Sequence, residues 1–197
     1  RYGAAPAEIL AGNGSTELLY LLARVCGARR ALIPIPTYSD YARAARLAGL
    51  EVATVLLTAR DNFRLAPETL GSALTEPAAV FIGRPNNPTG QVCEAQSLRD
   101  LAAAHPASFF LVDEAFGDFV EDFESLTKRQ PANLAVLLSL TKIFAIPGLR
   151  LGCAVVPAAL ARRAREQQPP WSVNVLAQAV GAAALREMLA LYADLAE

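Results

Sequence analysis

LAVLLSLTK, residues 134–142, is an almost unbroken apolar run that ends abruptly in a hydroxyl and an amine. A run of that length and purity reads as a strand buried on both faces, because a half-solvated strand would alternate with polar residues. Similar runs recur on both sides of it, at 31–35, 51–57, 78–82, 109–112 and 151–156. Between them lie patterns of helical period at 39–48, 67–74, 94–104 and 157–167, and another at 16–25 precedes the first run. Ser15 is the candidate cap at the start of that first helix and Gly27 its stop. Buried strands alternating with helices predict an α/β fold, a mostly parallel sheet covered by helices on both faces. After Pro169-Pro170 a long helical pattern runs from Ser172 onward. The expected division is therefore a large domain over 1–170 and, over 171–197, a helix leading towards a further C-terminal domain.

The totals narrow the class of partner. At 197 residues and 53% hydrophobic content the chain can bury a sizeable core. A formal net charge of −1 without long charged runs gives no electrostatic reason to expect nucleic acid or a membrane surface, so a small molecule is the expected partner. Cys26, Cys93 and Cys153 are odd in number and have no metal-like spacing, which reads as three free structural thiols and no metal site. No apolar stretch is long enough for a membrane span and no signal pattern opens the chain, so the cytoplasm is the expected compartment. The sequon Asn13-Gly14-Ser15 reads as a tight turn. The chain opens on Arg1-Tyr2-Gly3 and stops at Leu195-Ala196-Glu197 inside a helical pattern, which reads as a piece of a longer protein.

In open α/β sheets ligands bind outside the carboxyl ends of the strands. The polar residues at those ends are Tyr38, Asn86, Asn87, Asp113, Ser139, Thr141 and Lys142. Lys128 and Lys142 are the two lysines against sixteen arginines, and Lys128 lies in a polar stretch that reads as surface. Lys142 follows a buried strand, where an amine could lose its proton more easily than in water and attack an aldehyde. Asp113 ends another buried strand and needs a cationic partner there, for which a protonated pyridine nitrogen is suited. In Arg84-Pro85-Asn86-Asn87-Pro88-Thr89-Gly90 the prolines and glycine fix a loop that presents Asn87, although a plain rigid turn would have the same composition. Gly12-Asn13-Gly14-Ser15-Thr16 opens a helix with small residues, so free N–H groups can receive a phosphate, but it matches neither the Walker nor the dinucleotide pattern. His105, before Pro106, reads as a surface or capping residue, and Trp171 either lines a substrate site or is a buried aromatic fixing the next helix.

Taken together, GNGSTE, PTYSDY, RPNNPTG, LVDEAF and SLTKIFAIPGLRLG resemble, in order and spacing, the aspartate-aminotransferase superfamily, fold type I of the pyridoxal-phosphate enzymes. The resemblance implies pyridoxal 5'-phosphate as cofactor, with Lys142 forming its Schiff base, Asp113 pairing with its ring nitrogen, Asn87 bonding its phenolic oxygen and Tyr38 stacking on its ring. It further implies that Ser15 and Thr16, with Ser139 and Arg150, hold the phosphate, and that Gly14, Phe116 and Thr141 also belong to the cofactor site. Phe116 stands where most of the superfamily has a tyrosine, which removes one hydrogen-bond donor to the phenolic oxygen, and Arg84 stands where relatives often carry Asn. The DEAF form and Pro170-Trp171-Ser172-Val173-Asn174 look most like the threonine-phosphate decarboxylases of cobalamin biosynthesis, close relatives of the histidinol-phosphate aminotransferases. The implied activity is decarboxylation of O-phosphothreonine by a homodimer. A histidinol-phosphate-type aminotransferase and a non-catalytic pyridoxal-phosphate-sensing regulatory domain are the alternatives.

Overall fold

Apolar runs with no polar face must be covered on both sides, and in the computed structural model, which describes residues 3–128 and 130–194, they are the strands of a central sheet. The strands are β1 (Ile9–Asn13), β2 (Arg30–Ile35), β3 (Glu51–Leu56), β4 (Ala79–Gly83), β5 (Phe109–Asp113), β6 (Leu134–Ser139) and β7 (Leu151–Val155). The helices are α1 (Gly14–Val25), α2 (Asp40–Leu47), α3 (Pro67–Ala73), α4 (Ala95–Ala104), α5 (Leu140–Ile143), α6 (Ala158–Gln167) and α7 (Val175–Asp194). The sheet order is β1-β7-β6-β5-β4-β2-β3. Strands β3, β2, β4, β5 and β6 run parallel, and β7 is antiparallel to both β6 and β1.

Every residue of β4 and β6 is buried, and successive side chains pack into different cores. Phe81, Leu111 and Leu137 join α1, α2 and α6 on one side of the sheet. Val80, Ile82, Phe110, Val112 and Val136 join α3 and α4 on the other. Fully burying a side chain of this size stabilises by roughly 1.5–3 kcal/mol, so these central strands anchor the fold. In α1 the buried Leu18, Leu21, Leu22 and Val25 recur at helical spacing, between glycines of left-handed backbone at Gly14 (φ +79°) and Gly27 (φ +80°).

Several expectations need correction. Strand β1 carries no apolar run, because as an edge strand it buries only Leu10 and Gly12, and the residues 9–13 do not read as a strand. Ser15 lies inside α1, whose cap position is Asn13. The 134–140 run ends as a strand at Ser139, and Leu140, Thr141 and Lys142 form a single helical turn. The last helix starts at Val175 rather than Ser172, since the Asn174 Oδ1 accepts the Ala177 N–H at 2.9 Å and caps it. Trp171 is not a buried aromatic: it is 94% exposed, at φ +57°. His105 does sit at the carboxyl end of α4. The expected continuation through Leu195-Ala196-Glu197 lies outside the described residues, as do Arg1, Tyr2 and Arg129.

Strand β7 passes directly beneath the first turn of α1, where a Cβ on Gly152 would overlap the Ser15 backbone nitrogen. Gly152→Ala is expected to push that turn off the sheet and cost about 1–3 kcal/mol, as overpacking does. A lower urea midpoint of the full-length protein checks it.

Candidate functional site

Because β1, β2, β4, β5 and β6 all point the same way, their carboxyl ends meet along one edge of the sheet, and a cavity of about 230 Å³ opens there. Ser15 and Thr16 line it from α1, Tyr38 and Tyr41 from the region of α2, and Asn87 from the loop after β4. Asp113 and Phe116 enter from the end of β5, and Ser139, Thr141 and Lys142 from the end of β6. Arg150 joins them because β7 runs the other way, so its beginning lies at this edge. All the expected cofactor residues except Gly14 thus share one cavity. Gly14 has a different part: a Cβ there would overlap the Arg150 guanidinium, so the glycine clears that side chain's place.

Asp113 accepts the Ala115 N–H on Oδ1 at 3.0 Å and the Tyr41 hydroxyl on Oδ2 at 3.1 Å. Burial pushes its carboxyl above the ordinary value, against the opposing pull of those two donors and of Lys142. Among the described residues no lysine or arginine forms an ion pair with it. Tyr38 donates to Asp40 Oδ2 at 2.9 Å and meets the Tyr41 ring edge-on at 5.6 Å. Ser139 and Thr141, both buried, share a hydrogen bond of 2.9 Å. Of the two asparagines, Asn86 is structural: it bonds the Pro36 carbonyl and the Thr37 and Thr89 hydroxyls, while Asn87 stands exposed in the cavity wall. Lys142 is exposed at the mouth of the cavity, and its ammonium lies 5.5 Å from the centre of the Phe116 ring.

A carboxylate held by a rigid strand without a cation of its own, an amine within the same cavity, and hydroxyls with a guanidinium along its rim form a donor set. It suits a group that carries a basic ring nitrogen, an aldehyde and a phosphate, which are the features of pyridoxal phosphate.

Tyr41 and Glu114 were not singled out by sequence reasoning, and Arg84 was noted there only as a departure from relatives. Tyr41 was read as part of a helix, although its place in PTYSDY beside Tyr38 was the available signal. Arg84 and Glu114, each inside a resembling motif, form a buried ion pair at 2.7 Å. Arg84 also donates to the carbonyls of Cys93 and Glu124 and lies 4.3 Å from the Phe123 ring centre. Glu114 further accepts the Ser125 hydroxyl at 2.6 Å and the Leu126 N–H at 3.0 Å. This pair ties the loop carrying Asn87 to the loop carrying Phe116.

The aminotransferase class I and II family model matches residues 3–194. Threonine-phosphate decarboxylase of Salmonella typhimurium is 40% identical over 195 residues, 95% of this chain and 53% of that protein. Histidinol-phosphate aminotransferase of Nitratidesulfovibrio vulgaris is 36% identical over 195 residues, 94% of this chain and 52% of its own length. The crystal structure of L-threonine-O-3-phosphate decarboxylase from Porphyromonas gingivalis superposes with a TM-score of 0.75 at 28% identity, covering 87% of this chain and 53% of that one. The chain therefore spans about half the length of the relatives it matches. The fold is that of the fold type I pyridoxal-phosphate enzymes. The chain belongs to the aminotransferase class I and II family, whose cofactor is pyridoxal phosphate.

Burial pushes the Glu114 carboxyl above its ordinary value despite Ser125, Leu126 and Arg84. With the cation removed, in Arg84→Leu, the protein is expected to lose about 3–5 kcal/mol at neutral pH, as for other broken buried pairs. A carboxyl whose folded value is raised binds its proton more tightly folded than unfolded, so the loss is greatest above that raised value. It shrinks as the pH falls towards the ordinary carboxylate range. Urea unfolding of the full-length protein at several pH values measures both, and Arg84→Leu with Glu114→Leu should recover much of the stability.

Proposed function

We propose that the chain is the cofactor-binding part of a pyridoxal-phosphate-dependent decarboxylase that converts O-phospho-L-threonine into an aminopropanol phosphate for cobalamin biosynthesis. The observation that carries this reading is the single cavity shared by Lys142, Asp113 and Asn87, in a chain similar to proteins named threonine-phosphate decarboxylase. When bound, pyridoxal phosphate supplies a cationic ring that takes up the electron pair left when the bond to the substrate carboxylate breaks. Asp113 would keep the ring nitrogen protonated. Asn87 would donate its amide to the phenolic oxygen, and Tyr38 would cover one ring face. Ser15, Thr16, Ser139, Thr141 and Arg150 would gather the phosphate at the positive end of α1, where Gly14 leaves room for the Arg150 guanidinium. The Lys142 Nζ delivers to the α carbon the proton that replaces the lost carboxyl group.

A histidinol-phosphate-type aminotransferase is the second reading, favoured by the comparable identity to proteins of that name. There Lys142 would move the proton from one carbon to another. Fold alone does not separate the two. The proposal also takes in a homodimer and a cytoplasmic setting. The first is supported by strongly exposed apolar side chains such as Trp171, Val175 and Leu176. Among the described residues no helix is long and apolar enough to cross a membrane. Residues 1–170 would form the cofactor unit, with α7 leading towards a further domain.

Full-length protein incubated with O-phosphothreonine is expected to release CO₂ with little keto acid. Keto acid as the main product overturns the decarboxylase in favour of the aminotransferase, and neither product would point to the regulatory domain. Lys142→Ala is expected to abolish the visible absorbance of lysine-linked cofactor and slow CO₂ release by about 10²–10⁴-fold. A borohydride-reducible adduct persisting on another residue would remove Lys142 from its role.

A further inference from the structure

The reading above leaves one buried polar group of the cavity unused. Tyr41 is 3% exposed, and its hydroxyl is aimed at Asp113 Oδ2 from 3.1 Å. Its ring is fixed between Phe81, with centroids 6.2 Å apart, and the edge-on Tyr38. Above the hydroxyl lies the backbone of β4, approachable because residue 83 is glycine: a Cβ there would come within 3.2 Å of the Tyr41 oxygen. The hydroxyl therefore has one place to be and one acceptor to serve.

We propose, on top of the pyridoxal-phosphate reading, that Tyr41 is a positioning residue. Its buried hydroxyl turns the Asp113 carboxylate towards the cavity and holds it ionised, so that the proton of a bound ring nitrogen stays on the ring. A carboxyl in low dielectric favours its neutral form unless donors stabilise the charge. Asp113 has two such donors from the chain, and one of them, the Ala115 N–H, is backbone. Tyr41 is the side-chain donor. The other groups facing Asp113 are Lys142, across the cavity, and Tyr38, whose own hydroxyl is engaged by Asp40. Burial and the neighbouring Asp113 push the Tyr41 phenol well above its ordinary value, so it remains a donor throughout the working pH range. Without it, the N–H bond of the ring breaks, an O–H bond forms on Asp113, and a charged pair becomes a neutral one with no net change in protons. The ring then loses the positive charge that makes it an electron acceptor.

The test is Tyr41→Phe, which keeps the ring and deletes the hydroxyl, in the full-length protein. Without cofactor, the Asp113 carboxyl carbon is followed by NMR against pH, and its midpoint is expected to rise by about one unit. With cofactor labelled at the ring nitrogen, the nitrogen signal should move from the pyridinium towards the neutral pyridine position. A merely structural role would lower the urea midpoint and leave both signals in place, which overturns the proposal. In the unsubstituted protein the Tyr41 hydroxyl proton should follow the same midpoint as Asp113, so failure to do so also overturns it, whether or not the variant folds. If Tyr41→Phe shifts Asp113 but added pyridoxal phosphate leaves the Asp113 signal of the unsubstituted protein unmoved, the cofactor reading falls. The ring-proton role then falls with it, and the hydrogen bond alone stands.

Discussion

Strands buried on both faces can carry polar chemistry only where they end, and this constraint organises the molecule. The residues of β4 and β6 are all buried, so a charged group placed within them would be costly to hold. At the carboxyl edge that cost is met by donors or open space, and there the chain sets Asn87, Asp113, Ser139 and Lys142 from the ends of β4, β5 and β6 around one cavity. The antiparallel β7 extends the principle, because reversing its direction brings Arg150 to the same edge from the beginning of a strand. The rigid sheet then fixes these groups relative to one another better than loops alone could.

The end of β5 shows how the edge divides structural charge from functional charge. Asp113 and Glu114 are adjacent and both sense burial, but successive residues of an extended chain face opposite ways. Glu114 turns inward, where the chain answers it with Arg84, Ser125 and the Leu126 N–H. Asp113 turns to the cavity, where the chain offers a hydroxyl and an amide N–H and no salt bridge among the described residues. One carboxylate is satisfied within the fold. The other has no ion pair among the described residues and, on the proposed reading, would meet its cation in the ligand.

The central strands and their flanking helices were legible because length and purity of an apolar run are local properties of sequence. That the candidate site residues would share one edge was legible for two reasons: polar side chains directly after such runs must lie there, and the motifs containing them resemble a family. What escaped depended on tertiary pairing. Strand β1 is defined by its partner β7 rather than by its own composition, and the Arg84–Glu114 pair joins positions thirty residues apart. Tyr41 sits on the buried side of a short helix, where an aromatic reads as core, and only the approach of β5 makes it a donor. Of the two readings of Trp171, the buried aromatic fails, since the chain leaves it 94% exposed, although tryptophan is highly buried on average.

Lys142 and Phe116 complete the argument about how the cavity can use an amine. The ammonium lies 5.5 Å from the centre of the Phe116 ring, within the range of attraction to an aromatic face. A ring face attracts the charge without directing its protons, whereas a phenol hydroxyl would accept one of them and fix the side chain. Lys142 also follows a buried hydroxyl pair, Ser139 and Thr141, which bond each other. The root of the side chain is thus held at the end of β6, while Lys142 itself is exposed and carries its amine on a four-carbon stem. On the proposed reading, an amine that first meets an aldehyde and later reaches a carbon of the substrate would need that combination of a fixed root and an undirected tip.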